Sequence, residues 1–270
     1  MKKAKIDVYF AEQASVLRDK LFAEMISHSG DWPDDRAFLL VPERQKADLE
    51  RAYLEEPGAD GLMLSEVLSF SRLAQRIFSE AGGAEAETLS RPGKAILIQR
   101  LLIKNEEKFR RFQNLAERPA FAAEMAEVMG DFYRYDISAD DLRSAALAEG
   151  SSVREITRDK LTDFAGLKDL LEDAFDQMGL VDRDSNPDRA CRIIEDPEKY
   201  PRLDFLTTTD IFIYGFGSER LLTVQERRLL EALSRRVRTM TFFVLADDPY
   251  GRALPFDIGR RSLLEIQKTY

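Results

Sequence analysis

Five short apolar runs constrain the fold of this chain more than any other feature: Ile6 to Phe10, Ala37 to Val41, Leu62 to Leu68, Ile211 to Phe216 and Met240 to Ala246. Each is too short for a helix and reads as a buried strand. Between the first two lies an amphipathic stretch with Ala14, Leu17, Leu21 and Met25 on one face, and Pro42 closes the second run before a helical segment over Glu43 to Glu55. After the third run Ser69 is a natural N-cap for a helix burying Phe70, Leu73, Ile77 and Phe78. A helix with Leu222, Leu229, Leu233 and Val237 separates the last two strands. Such alternation predicts an α/β fold whose parallel strands are joined by right-handed crossovers.

The alternation is interrupted. From about residue 85 to 205 every strong periodicity is helical: Phe121, Met125, Val128, Met129 and Phe132 form one stripe, and Leu161, Phe164, Leu167, Leu171, Phe175 and Met178 form another. Ala95 to Ile103 is apolar nearly all round and is expected at the centre of that bundle. Pro187, Pro197 and Pro201 punctuate the return. The expected organisation is a core of 1–84 and 206–270 interrupted by a helical domain over 85–205.

Composition removes whole classes of chemistry. One Cys (Cys191) and one His (His28) exclude an internal disulfide and a thiolate-imidazole zinc site, and any nucleophile-histidine catalysis would have to run through His28 alone. His28 and Trp32, near Gly30 and Pro33, read as loop residues. The paired carboxylates Asp34-Asp35, Asp140-Asp141 and Asp247-Asp248 sit at turns or helix starts, where Asp caps, and read as poor metal sites. The basic start Met1 to Lys5 lacks the apolar stretch of a signal peptide, and no run spans a membrane, so the simplest expected location is the cytoplasm, without membrane contact.

In an open parallel sheet, ligands bind beyond the carboxyl ends of the strands. The first such loop, Ala11-Glu12-Gln13-Ala14-Ser15, has neither the glycines nor the Lys that wrap a nucleotide phosphate, and Glu12 sets a carboxylate where a phosphate would lie. Arg91-Pro92-Gly93-Lys94 has no strand before it and reads as a turn that opens a helix. The other strand ends carry Arg44 and Gln45, then Ser69, Phe70, Ser71 and Arg72, then Tyr214-Gly215-Phe216-Gly217-Ser218 running on to Gln225 and Glu226. Hydroxyls, amides, guanidinium groups and aromatic rings on one edge suit a nucleic-acid strand, through phosphate contacts and base stacking.

Three of these pieces, Phe38 to Gln45, Val67 to Arg76, and Tyr214-Gly215-Phe216 with Gln225-Glu226, resemble the N-terminal region of the B subunit of the AddAB/RexAB-type helicase-nuclease in order and spacing. The resemblance covers essentially the whole chain, and Ser69 to Ala74 is its most specific piece. It implies a RecA-like, superfamily 1 helicase-like core with a large inserted helical domain. It also implies pairing with a motor A subunit, and binding of single-stranded and duplex DNA, with hotspot recognition, rather than motor work. Arg44, Gln45, Ser69, Phe70, Ser71, Arg72, Phe216 and Gln225 are the DNA-binding candidates. The resemblance further implies that this chain is a fragment of a longer subunit, with an iron-sulfur cluster and magnesium expected only in the rest of the parent protein, so no cofactor and no catalytic residue is expected here. Where an active helicase has Asp-Glu after the fourth strand, this chain has Tyr214-Gly215, and Gln75 stands where relatives often have tryptophan.

Each candidate also has a plainer role: Phe70 as core, Arg44 and Gln45 as helix caps, Phe216 as the close of a strand, Arg72 as a solvated cation. Residues 94–118 hold Lys94, Arg100, Lys104, Lys108, Arg110, Arg111 and Arg118 against Glu106, Glu107 and Glu117. That basic face suits a polyanion or an acidic partner, or a helix exterior balanced by Glu124, Glu127, Asp131 and Asp136. Three functions remain: a catalytically silent DNA-binding and docking domain, a pure interaction scaffold, for which the net charge of −9 speaks, and an active ATPase.

Overall fold

A computed structural model describes residues 3–27, 36–59, 65–82, 87–148, 155–217, 220–248, 250–252 and 254–270. His28, Gly30, Trp32, Pro33, Asp34-Asp35, the start of the third run (62–64) and Ser218 lie outside the described residues. In chain order the described elements are β1 (Lys5–Ala11), α1 (Ala14–Ser27), β2 (Ala37–Leu40), α2 (Lys46–Leu54), β3 (Ser65–Leu68) and α3 (Phe70–Glu80). Then come α4 (Arg91–Lys104), α5 (Pro119–Arg134), α6 (Ala139–Leu147), α7 (Glu155–Met178) and α8 (Asn186–Glu195). The last are β4 (Asp210–Tyr214), α9 (Val224–Ser234), β5 (Thr239–Leu245) and α10 (Asp257–Thr269).

All five strands are parallel, in the order β1-β5-β4-β2-β3, which is consistent with a RecA-like α/β fold. The register lines up Leu68, Leu40, Ile213, Phe242 and Val8 across the sheet. Because side chains alternate between faces, Leu68, Leu40, Ile213 and Phe242 of this row and their neighbours build one core with α3, α8, α9 and α10, while Val8 on the edge strand is 39% exposed. The intervening row, with Val67, Leu39 and Phe212, meets Leu17, Leu21 and Phe22 of α1 and Leu49 and Tyr53 of α2. Burial on both faces is why β2, β4 and β5 read as continuous apolar runs rather than alternating ones; β1, expected to be buried as well, is instead an edge strand with no buried residue and with Phe10 46% exposed.

The chain divides into two compact units, residues 1–85 with 187–270, and residues 86–186. In the second, α4 to α7 close around Phe112, whose ring lies 5.2 Å from Phe121 and 5.1 Å from Phe164. The side chain of Asp163, on α7, accepts the backbone N–H groups of Arg110, Arg111 and Phe112 at 2.6 to 3.1 Å and so fixes the loop that delivers that ring. Helix starts are chemically marked: Ser69, Ser90, Ser138 and Thr223 cap α3, α4, α6 and α9. One expectation is corrected. The stretch Ala95 to Ile103 is not central, since Ile98 and Leu102 are buried while Ile96 is 66% and Ile103 54% exposed. The other helices cover only one side of α4. No described helix is long and apolar enough to cross a membrane.

Candidate nucleic-acid interface

The carboxyl ends of β2, β3 and β4 lie side by side, because β2 pairs with both of the others. The pairing runs one residue past the strands, with Val41 N–H donating to the Leu68 carbonyl at 3.0 Å. Pro42 then ends β2, and Glu43 to Gln45 make a single 3-10 turn into α2. Arg44 is exposed and Gln45 half-buried. After β3, Ser69 is buried and its hydroxyl accepts the Arg72 N–H at 3.4 Å, as a cap should. Ser71 and Arg72 are exposed, and Arg72 Nη1 donates to Gln75 Oε1 at 3.3 Å.

β4 stops two residues short of the expected Phe216, because Gly215 takes the left-handed conformation (φ +83°). Any Cβ there would run into Gln45 Oε1 and come within 3.0 Å of Pro42 Cδ, so glycine is required both by dihedral and by space. The turn swings Phe216 back into the core, where its ring meets Phe70 edge-on at 5.3 Å; both rings are about 6% exposed. Arg220 stands over the Phe216 ring at 5.4 Å and makes a two-pronged ion pair with Glu226 at 2.7 Å. Gln225 is buried, and its amide donates to Asp188 of α8 at 2.8 Å.

Thus Gln45 meets Gly215 and Phe70 meets Phe216, while Arg44, Ser71 and Arg72 are the candidates that present exposed side chains. Gln225 turns to α8 instead. Tyr214, the last residue of β4, donates its phenol to the Ala14 carbonyl at the start of α1, at 3.4 Å, and burial raises its pKa. Sequence spacing had no means of pairing residues 200 positions apart, although the Tyr-Gly dipeptide in place of an acidic pair was the visible signal. Glu12 is exposed at the same end of the sheet.

Charges elsewhere are largely committed to structure. Lys94 is buried, with its amine 2.7 Å from both Asp182 Oδ2 and Asp184 Oδ2, so it belongs to the interior of the helical unit rather than to a basic face. Arg110 and Arg111 both engage Asp159, whose pKa they lower through hydrogen bonds and charge. Asp141 closes a capping box with Ser138, and Asp247 holds the guanidinium of Arg260 at 2.9 Å. Among the described residues no cluster of His, Cys, Asp or Glu is arranged to hold a metal ion.

A family model described as "ADDB, N-terminal" matches residues 18–258, which include β2 to β5 and all three strand-end loops. Relatives named as the B subunit of an ATP-dependent helicase/deoxyribonuclease are similar over most of the chain. That of Pelotomaculum thermopropionicum is 32% identical over 235 residues, 86% of this chain and 19% of the relative. That of Geobacillus thermodenitrificans is 29% identical over 223 residues, 81% and 18%. That of Desulfitobacterium hafniense is 28% identical over 260 residues, 96% and 20%. The chain spans about a fifth of the length of these relatives. With the match running from the first helix into the last, and through the strand ends that carry the site, the chain belongs to the ADDB N-terminal family.

Proposed function

We propose that this chain is the helicase-like, catalytically silent part of a helicase-nuclease B subunit, which binds single-stranded DNA at the carboxyl edge of its sheet and docks a motor A subunit during recombinational repair of double-strand breaks. The carrying observation is the exposure of Arg44, Ser71 and Arg72, with Gln45 half-buried beside them, at the ends of neighbouring parallel strands. Guanidinium groups bind phosphates, and hydroxyls and amides reach phosphate or base edges. Ser69, Phe70 and Phe216 support that surface from beneath, and Gln225 fixes the segment after β4 against α8. Scanning for a hotspot sequence is the finer form of this reading. Loss of ATP hydrolysis is argued from Glu12, which repels a triphosphate, and from Tyr214, whose phenol occupies the Ala14 carbonyl. Resident cofactors belong, in this reading, to the rest of the parent protein.

Fluorescence-anisotropy titration of labelled single-stranded DNA, with the A subunit present and at several salt concentrations, tests it. Arg72→Ala is expected to weaken binding by roughly 1 to 3 kcal/mol and to flatten the salt dependence. Unchanged affinity and slope would favour the second reading, an interaction scaffold without DNA contact. That reading has its own support in the net charge of −9 and in the mutual burial of Phe70 and Phe216, which leaves neither ring exposed for a base. Saturable ATP binding would overturn the catalytically silent assignment and favour an active ATPase.

A further inference from the structure

The amino end of the sheet, opposite the strand-end edge, opens into a cleft of about 850 Å³ that belongs wholly to the unit of residues 1–85 and 187–270. Lys5 and Thr239, the first residues of β1 and β5, lie side by side there in the parallel register, and Arg235-Arg236-Val237-Arg238 leads into β5 beside them. Five cations line the cleft, Lys3, Lys5, Arg235, Arg236 and Arg238, against one carboxylate, Asp204. Lys5 pairs with Asp7, Arg235 with Glu195 and Glu231, and Arg238 forks onto Asp210 with two bonds of 2.9 Å. None of those four carboxylates is part of the wall, so they order the cations while the surface facing the cleft stays basic. Arg236 is different. Its side chain is 4% exposed, yet among the described residues its guanidinium donates only to the Ile194 carbonyl at 3.2 Å and to Asp204 at 3.3 Å. A guanidinium carries five N–H donors, so three are taken by no described group. Asp204 does little to neutralise it, being itself 75% exposed to water. Lys3 is exposed and makes no ion pair among the described residues.

We propose that this cleft is a phosphate-binding site, in which Arg236 supplies buried, fixed donors and Lys3, Lys5 and Arg235 supply exposed positive charge. Unused donors on a buried guanidinium call for an anion that accepts several hydrogen bonds at once, and a phosphate group offers more acceptor oxygens and more charge than a carboxylate. The volume lies within the range of roughly 300 to 1,000 Å³ typical of ligand sites, which leaves room for more than one phosphate. In a chain of net charge −9, a wall of five cations is a local field of opposite sign that draws a polyanion to this end of the sheet. Free polyphosphate and the phosphodiester backbone of a nucleic acid carry the same group, and the experiment separates these two sources. The site lies at the other end of the strands from Arg44, Ser71 and Arg72, and the proposal stands or falls independently of DNA binding there.

The experiment is isothermal titration calorimetry of the whole chain at fixed ionic strength, with sodium tripolyphosphate and a short oligothymidylate as separate probes, on wild type, Lys3→Gln/Arg235→Gln, Arg236→Lys and Arg72→Ala. Lys3 and Arg235 are exposed, so thermal melts of their double variant should match wild type. That variant is expected to bind the probe about tenfold more weakly, and Arg236→Lys, which keeps the charge and loses the fork, to weaken it similarly. Should Arg236→Lys fail to fold, the exposed double variant decides. Saturable tripolyphosphate binding that falls in these variants and not in Arg72→Ala supports the cleft with free phosphate as ligand. Binding of oligothymidylate alone, with the same dependence on the variants, supports it with a phosphodiester backbone as ligand. The proposal is overturned if wild type binds neither probe saturably, or if the folded double variant binds as wild type does. Binding weakened by Arg72→Ala alone would place the phosphate at the strand-end edge and overturn the cleft as its site.

Discussion

Lys94 illustrates how far a single residue's role depends on what surrounds it. In the sequence it begins a basic stretch; in the structure its side chain is 6% exposed and shared between Asp182 and Asp184, with the Tyr133 ring 5.8 Å away. Removing one partner of a buried ion pair leaves the others desolvated and uncompensated. Lys94→Met is therefore expected to lower the stability of the helical unit by roughly 3 to 5 kcal/mol, read as a fall in the urea midpoint with the slope unchanged. The exposed pair Arg235–Glu231 is the contrast: Arg235→Ala should change stability by no more than about 1 kcal/mol.

At the scale of elements, two glycines in helices predict opposite outcomes. Gly259 lies in the first turn of α10, where a Cβ would collide with the Leu245 carbonyl oxygen and lie 3.2 Å from the Ala246 Cβ. This absence of a side chain lets α10 sit on the end of β5, with Leu263 and Ile266 in the core. Gly259→Ala should push the helix off and destabilise by about 1 to 3 kcal/mol. Gly166, inside α7, meets only the edge of the Phe109 ring at 3.9 Å, so Gly166→Ala should instead stabilise by about 0.5 to 1 kcal/mol, through helix propensity. Calorimetric melts of the two variants side by side would check the sign of each.

For the whole molecule, buried protons set a common direction. Burial raises the pKa of Cys191 to about 12, and burial likewise raises those of Tyr133, Tyr214 and Tyr270. In the unfolded chain these groups ionise near their ordinary values of about 8.5 and 10, so above that range the unfolded state holds fewer protons than the folded one. The linkage slope is then negative: stability is undiminished below about pH 8 and falls as pH rises through the alkaline range. Urea midpoints at pH 8 and pH 10.5 should differ accordingly, and Cys191→Ala should shrink the difference. The compact unit of residues 86–186 has its own core around Phe112, Met129 and Leu171. That segment expressed alone should give a helical circular-dichroism spectrum and a cooperative thermal transition.

Local chemistry made much of this legible from sequence. Runs such as Ala37 to Val41 can only be strands buried on both faces, Ser69 can cap only the helix that starts beside it, and the first strand end without glycine carries no phosphate loop. These signals need a few neighbouring residues, and the chain carries them whatever its final packing. The strand order, the burial of Phe70 against Phe216, the capture of Gln225 by Asp188 and the enclosure of Lys94 pair residues 28 to 234 positions apart. Local periodicity cannot tell which apolar side of α4 is covered, or whether an Arg or an aromatic ring after a strand faces solvent or core. Those outcomes depend on which distant side chains arrive at the same place, and tertiary packing alone decides that.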